Sequence, residues 1–204
     1  MYSELPSFVF GFHGCDLATK EAVLCRKKPL IPSNNDYDWL GSGIYFWEQN
    51  AQRAMDFAKM AHDAWLEGRK VTSRPIETPA VIGAAINLGV CMNLMDAEHI
   101  HRLQLGYSLL CDNVRRTGKS IPTNTGGKDK YFRRLDRAVI ETLCDYMIEH
   151  RNSSYRPYDT VRGLFLEGDA IYPGAGFLAE THIQICVRNP RCIKAYFDPL
   201  VDLL

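Results

Sequence analysis

A chain of 204 residues, 46% hydrophobic and 24% charged, has the usage of an ordinary folded domain, which excludes a disordered, fibrous or collagen-like protein. Its 24 basic and 24 acidic residues cancel, so no global field draws it to nucleic acid or an anionic membrane, and only a local patch would do so. The seven cysteines (Cys15, Cys25, Cys91, Cys111, Cys144, Cys186, Cys192) are odd in number, scattered and never in a Cys-x-x-Cys pair, which speaks against a zinc site or a disulfide framework and for reduced, mostly buried thiols.

One domain over residues 1–204 is long enough to bury roughly 70% of its unfolded surface without a staple. The first twelve residues hold no basic region ahead of an apolar run, and no stretch approaches the ~20 apolar residues of a membrane span. The expectation is a cytoplasmic protein with no membrane partner and no metal.

Residues 7–12 (SFVFGF) form an apolar, aromatic run that predicts a strand running into His13 and a turn at Gly14. Residues 17–24 predict a short helix closed by Arg26, Lys27, Lys28 and Pro29. Residues 29–42 (PLIPSNNDYDWLGS) are dense in Pro, Asn, Asp and Gly and read as a loop; residues 43–47 (GIYFW) read as a brief strand. From Ala51 to Trp65 the apolar spacing is helical, with Asn50 as N-cap and Gly68 as the stop.

Residues 79–88 (PAVIGAAINL) are a continuous small-apolar run, the pattern of a strand buried on both faces. Residues 98–130 are helical in part and break at residues 117–128 (TGKSIPTNTGGK), and residues 131–150 resume helical spacing with Arg137 and Glu141 as an i,i+4 pair. Residues 161–166 and 181–187 predict strands separated by a Gly/Pro loop at 167–176. With strands at the two ends and helices in the middle, the fold class is α+β. The usual nucleotide loops, H-E-x-x-H and G-x-S-x-G are absent from the sequence.

The order strand, His-Gly, short helix, polar loop, Gly-x-Gly-Ile-Tyr-Phe and helix resembles the catalytic domain of the poly(ADP-ribose) polymerase-like (diphtheria-toxin-like, H-Y-E type) ADP-ribosyltransferases. Phe12-His13-Gly14 matches the family's first motif, residues 29–41 stand where its donor loop lies over NAD, and residues 41–46 (GSGIYF) match the second motif with its tyrosine at Tyr45. Residues 79–89 resemble the core strand that follows, and residues 181–187 with Ile193 fit the third motif. The chain is also similar to small bacterial toxin-type transferases that share the His-Gly and D-W-L-G-x-G-I-Y-F-W layout, some of whose relatives modify nucleic acid. Residues 98–158 have no counterpart and read as a helical, partly basic insertion.

The resemblance implies a split antiparallel sheet with flanking helices and a reaction in which ADP-ribose passes from NAD, as substrate, to a protein, RNA or DNA acceptor. It implies a toxin or defence effector restrained by a partner protein in its own cell. NAD hydrolysis and an inactive NAD- or ADP-ribose-binding module are the alternatives.

Cleaving the nicotinamide–ribose bond releases a neutral leaving group through an oxocarbenium-like transition state, so positioning and charge stabilisation matter more than acid–base strength. Gly14 would let the carboxamide approach the main chain. His13 would bond a ribose hydroxyl and Tyr45 would stack on the nicotinamide ring, with Asp38, Gly43 and Phe57 completing the NAD contacts.

The family's catalytic glutamate falls on Gln184, whose amide can bond a hydroxyl but cannot take a proton. Strand alternation would put Glu180, His182 and Gln184 on one face, with Glu180 ~13 Å from Gln184. Glu180 and Glu167 are the two candidate stand-ins. Chain elongation is therefore not expected. Between Arg115 and Arg137 eight basic residues face two acids, and Arg133 and Arg134, beside Tyr131 and Phe132, are the candidate acceptor-binding residues.

Overall fold

A computed structural model describes residues 8–35, 38–126, 132–151 and 156–199. The chain enters through strand β1 (Val9–Asp16) and turns directly into helix α1 (Leu17–Leu24). Asp16 makes that junction: one carboxylate oxygen accepts from Ala18 N at 2.9 Å as the N-cap, and the other accepts from the backbone of Glu77 and Thr78. The expected turn at Gly14 is therefore corrected, because the strand runs through the His-Gly pair and ends at the first residue able to cap a helix.

Strand β2 (Ile44–Glu48) leads into α2 (Ala51–Leu66), where Asn50 caps by accepting from Arg53 N at 2.9 Å. Ala54, Ala58, Ala61 and Ala64 are its buried face, so the helix backbone lies close against the sheet. Strand β3 (Pro79–Ile86) is buried along nearly its whole length, as its apolar run foretold. Then come β4 (Cys91–Asn93), α3 (Ala97–Thr117), the ribbon β5 (Asn124–Thr125) and β6 (Phe132–Arg133), α4 (Arg134–Glu149), β7 (Thr160–Phe165), β8 (His182–Val187) and β9 (Ile193–Phe197). The strands β4, β5 and β6 are too short for a period to show. Residues 127–131 of the expected 117–128 break and 131–150 helix lie outside the described residues.

Seven strands form one sheet in the order β4-β7-β8-β2-β1-β3-β9, antiparallel except for β4 beside β7. One face carries the core of Ile44, Phe46, Ile82, Ile86, Ile185 and Val187, with Val23 of α1 and Leu30 packed on it. On the other face α2 covers β1 and β3, while Ile140, Leu143 and Met147 of α4 pack on Met92, Val161 and Cys186. The insertion is thus part of the core. Its two helices meet at Gly106, where a Cβ would lie 2.8 Å from the Val139 carbonyl oxygen.

The expected Arg137–Glu141 pair is not made. Glu141 takes Arg188 of the β8 end at 3.0 Å and the Ser42 N–H, while Arg137 donates to Asn34 and Ser42. A buried guanidinium fixed by the sheet outcompetes an exposed helix pair worth only ~0.3–0.5 kcal/mol. Although burial opposes it, Arg188 with the Ser42 N–H holds the Glu141 carboxyl below its usual range. No helix among the described residues is long and apolar enough to cross a membrane.

Candidate active site

All eight residues of β1 pair with β3, but only Gly11 and Phe12 pair with β2, opposite Glu48 and Trp47. Gln49 N donates to Phe10 O at 2.9 Å, and Leu17 N donates to Thr78 O beyond β3. Because main-chain groups alternate between the two edges of a strand, the N–H and C=O of Phe10, Phe12 and Gly14 point toward β2. The register would next join Gly14 to Tyr45. There the ladder stops.

His13 occupies the gap. Its Nδ1–H donates at 2.8 Å to the Tyr45 carbonyl, which Gly14 would otherwise have served. Burial lowers the His13 pKa below 6.5, so the ring is neutral, and with the proton on Nδ1 its Nε2 is left as an acceptor. Gly14 cannot be another residue, because a Cβ there would fall 2.2 Å from the Ala54 carbonyl oxygen of α2. Its N–H and C=O face the split.

Tyr45 is half-buried in the core beneath α4. Its hydroxyl donates to Gly41 O at 2.7 Å and accepts from Leu40 N at 3.0 Å, which pins the loop over the ring. Burial raises its pKa well above 10, so the phenol stays neutral. Asp38 turns inward, accepting from Ser33 Oγ at 2.6 Å and Asn35 N at 2.8 Å. Both main-chain groups of Gly43 bond Ser33. These two residues shape the loop, and their polar groups are spent inside it. Phe57 of α2 packs on Trp47 with ring centroids 5.1 Å apart.

A stack of rings crosses the same face. The Arg133 guanidinium lies 3.3 Å over Trp39, Trp39 stacks on Phe165 at 4.3 Å, and Phe165 stacks on His182 at 5.2 Å. His182 donates through Nδ1 to the Glu180 carbonyl at 2.5 Å and accepts the Gln184 amide at 2.9 Å on Nε2. Burial lowers its pKa also. The Gln184 nitrogen is thus committed, and its amide oxygen is the group left to meet a ligand.

Glu180 does not continue the strand alternation, because β8 begins at His182 and Glu180 sits in the preceding turn, bonding Glu167 O through its N–H. The loop doubles back and sets both candidate carboxylates on Arg53, Glu180 at 2.6 Å and Glu167 at 3.8 Å. Burial, with the charge of Glu180 adding and Arg53 opposing, raises the Glu167 pKa. Arg53 and Phe165 went unmarked in the sequence, since each sits at an ordinary helix or strand position, and Trp39 and Trp47 stood there only as letters of the D-W-L-G-x-G-I-Y-F-W layout, with no role. Among the described residues, Arg53 Nε and Trp47 Nε1 are buried donors with no hydrogen-bond partner. Leaving such donors unmet costs ~1–3 kcal/mol each.

The basic stretch is largely engaged. Arg133 is on Trp39, Arg134 lies 5.8 Å over Phe132, Arg137 of α4 donates to Asn34 and Ser42 of the loop, and Arg115 pairs with Asp112. Lys128, Lys130 and Tyr131 lie outside the described residues.

No family model and no solved structure matches the chain. It is similar to an uncharacterized protein of Methanocaldococcus jannaschii, 27% identical over 198 residues, which covers 90% of this chain and 83% of that protein.

Proposed function

We propose that this chain is an NAD-dependent mono-ADP-ribosyltransferase of the diphtheria-toxin-like class. The observation that carries the reading is the place where the β1–β2 ladder stops. Gly14 and Tyr45, the two motif residues, are the pair that the register would join next, and His13 takes the bond between them. A main-chain N–H and C=O on one glycine match the donor and acceptor of a carboxamide. The neutral His13 Nε2 would accept a ribose hydroxyl beside them. The orphan donors of Trp47 and Arg53 fit a ligand rich in acceptor oxygens.

The electrostatics suit a bond that breaks with cation development. Two carboxylates, Glu167 and Glu180, gather on Arg53, with the Arg133 charge also reaching Glu167, and they would supply negative charge where a ribosyl cation forms. With its carboxyl pKa raised, Glu167 is the better placed of the two to take the acceptor's proton. Hydrolysis of NAD is the second reading. It is favoured by Gln184, whose amide nitrogen is held by His182 and which offers no carboxylate on the strand to polarise a macromolecular hydroxyl.

The deciding experiment incubates the protein with NAD labelled on the adenylate and with cell lysate, then separates protein, nucleic acid and free ADP-ribose. Label on a macromolecule is the expected result. Label only in free ADP-ribose selects hydrolysis, and intact NAD overturns the enzyme reading.

A further inference from the structure

A cavity of about 570 Å³ opens between α3, α4, β7 and the loop carrying Trp39 and Leu40. Neither His13 nor Gly14 lines it. Two of its walls come from residues 98–158, and Trp39 and Leu40 of the loop close it, so the insertion and the loop build it together. We propose that it is a second binding site, for a small uncharged molecule with an apolar ring body and a single amide-like hydrogen-bonding edge.

The size is that of a small-molecule site, which runs ~300–1,000 Å³. Apolar side chains, Leu94, Leu103, Val139, Ile140, Leu164 and Phe165 among them, make most of the wall, which offers an ion nothing in exchange for its hydration. The charged residues at the cavity are Arg133 and Asp136, and they oppose each other at 3.9 Å. The Arg133 guanidinium sits over the Trp39 ring, and Asp136 also accepts from Asn124 at 2.8 Å. Charge therefore selects neither an anion nor a cation. Gln104 supplies the polar edge: it lines the cavity and makes no side-chain hydrogen bond among the described residues, so its carbonyl and NH₂ are both available.

The lining also reaches the loop over Tyr45. Trp39 and Leu40 face the cavity, and the Leu40 N–H is bonded to the Tyr45 hydroxyl at 3.0 Å. An occupant packed under these two residues would hold that bond closed, and the Leu40 amide would exchange more slowly with solvent.

The test titrates the full chain with N-phenyl-1-naphthylamine, a neutral probe in which a naphthyl and a phenyl group are joined through one N–H. A saturable, one-to-one fluorescence rise is expected. Ile100→Trp and Leu164→Trp, both at half-exposed lining positions, should each weaken it by about tenfold or more by filling the space, with circular dichroism checking that each variant is folded. Slower hydrogen exchange at Leu40 on probe binding is the third expected result. The proposal is overturned by the absence of saturable binding, by binding that the folded Trp variant or variants leave unchanged, or by unaltered exchange at Leu40. It is equally overturned if sizing shows that a second copy of the chain covers this face. None of these readouts needs NAD, so failure here and failure of the transferase reading are separable.

Discussion

The two edges of β1 have opposite characters. Toward β3 every residue from Val9 to Asp16 is paired, and toward β2 the pairing lasts for Gly11 and Phe12 alone. One edge is spent on the fold and holds the strand rigid. The other is left open where a side chain, His13, has taken the place of a backbone donor. In the transferase proposed above, the binding groups at this edge would be main chain, with the neighbouring ladder supplying their precision, so few special residues would be needed. The far rim is built differently, from charges on a loop that returns to Arg53.

The sharpest way to break this contrast is His13→Ala. It leaves the Tyr45 carbonyl without its donor and removes the Nε2 acceptor. NAD consumption should fall on the order of 100-fold or more, the scale for losing a preorganised polar contact at the reacting centre. Near-normal turnover of labelled NAD would refute the open edge as the site.

A smaller loss is expected on the charged rim. Glu167→Gln should reduce transfer about tenfold, below the ~100-fold low end for general acid–base groups because Arg53 and Glu180 share the site, while Glu180→Gln costs less because Glu180 is half exposed. If Glu180→Gln is the more damaging in a kcat comparison, the roles assigned to the two acids are reversed.

Acid should weaken the fold from the same positions. His13 and His182 are both held below 6.5 by burial, so the unfolded chain binds more protons than the folded one as pH falls. Their contribution is complete above pH 6.5 and is lost as pH descends from there through their lowered folded values. Urea midpoints at pH 8, 6.5 and 5.5 should therefore decline in that order. A midpoint that held steady or rose would contradict the buried, neutral state of both rings.

Tyr45→Phe sharpens the comparison further by loosening the loop without opening the sheet. It deletes the bonds to Leu40 N and Gly41 O, at a cost of ~1–2 kcal/mol, and should raise amide exchange at Leu40. Smallest of all is the double change Arg133→Glu with Arg134→Glu. Both guanidiniums already lie on rings, so acceptor binding and its salt dependence should weaken only a few-fold, with NAD hydrolysis intact. Equal loss of both activities would count against a separate acceptor surface.

Much of the architecture was legible because it is local. Leu17–Leu24 is helical over the very residues its spacing marks, Asn50 caps α2, and the small-apolar run at Pro79–Ile86 is a strand buried between neighbours. His13, Gly14 and Tyr45 could be singled out by type and order. Their arrangement could not, since it depends on a register joining residues more than 30 apart, and period says nothing about where a ladder ends. Glu180 shows the limit most clearly. Alternation carried back from β8 would put it ~13 Å along the strand from Gln184, whereas the loop after β7 folds it onto Arg53. Glu141 likewise had a good partner four residues away and took Arg188 instead. The sequence by itself determined which segments could be helix or strand and which residues had the chemistry for a site. Only the tertiary structure decided which main-chain groups stayed unspent and which charges met, because burial and long-range pairing set those energies.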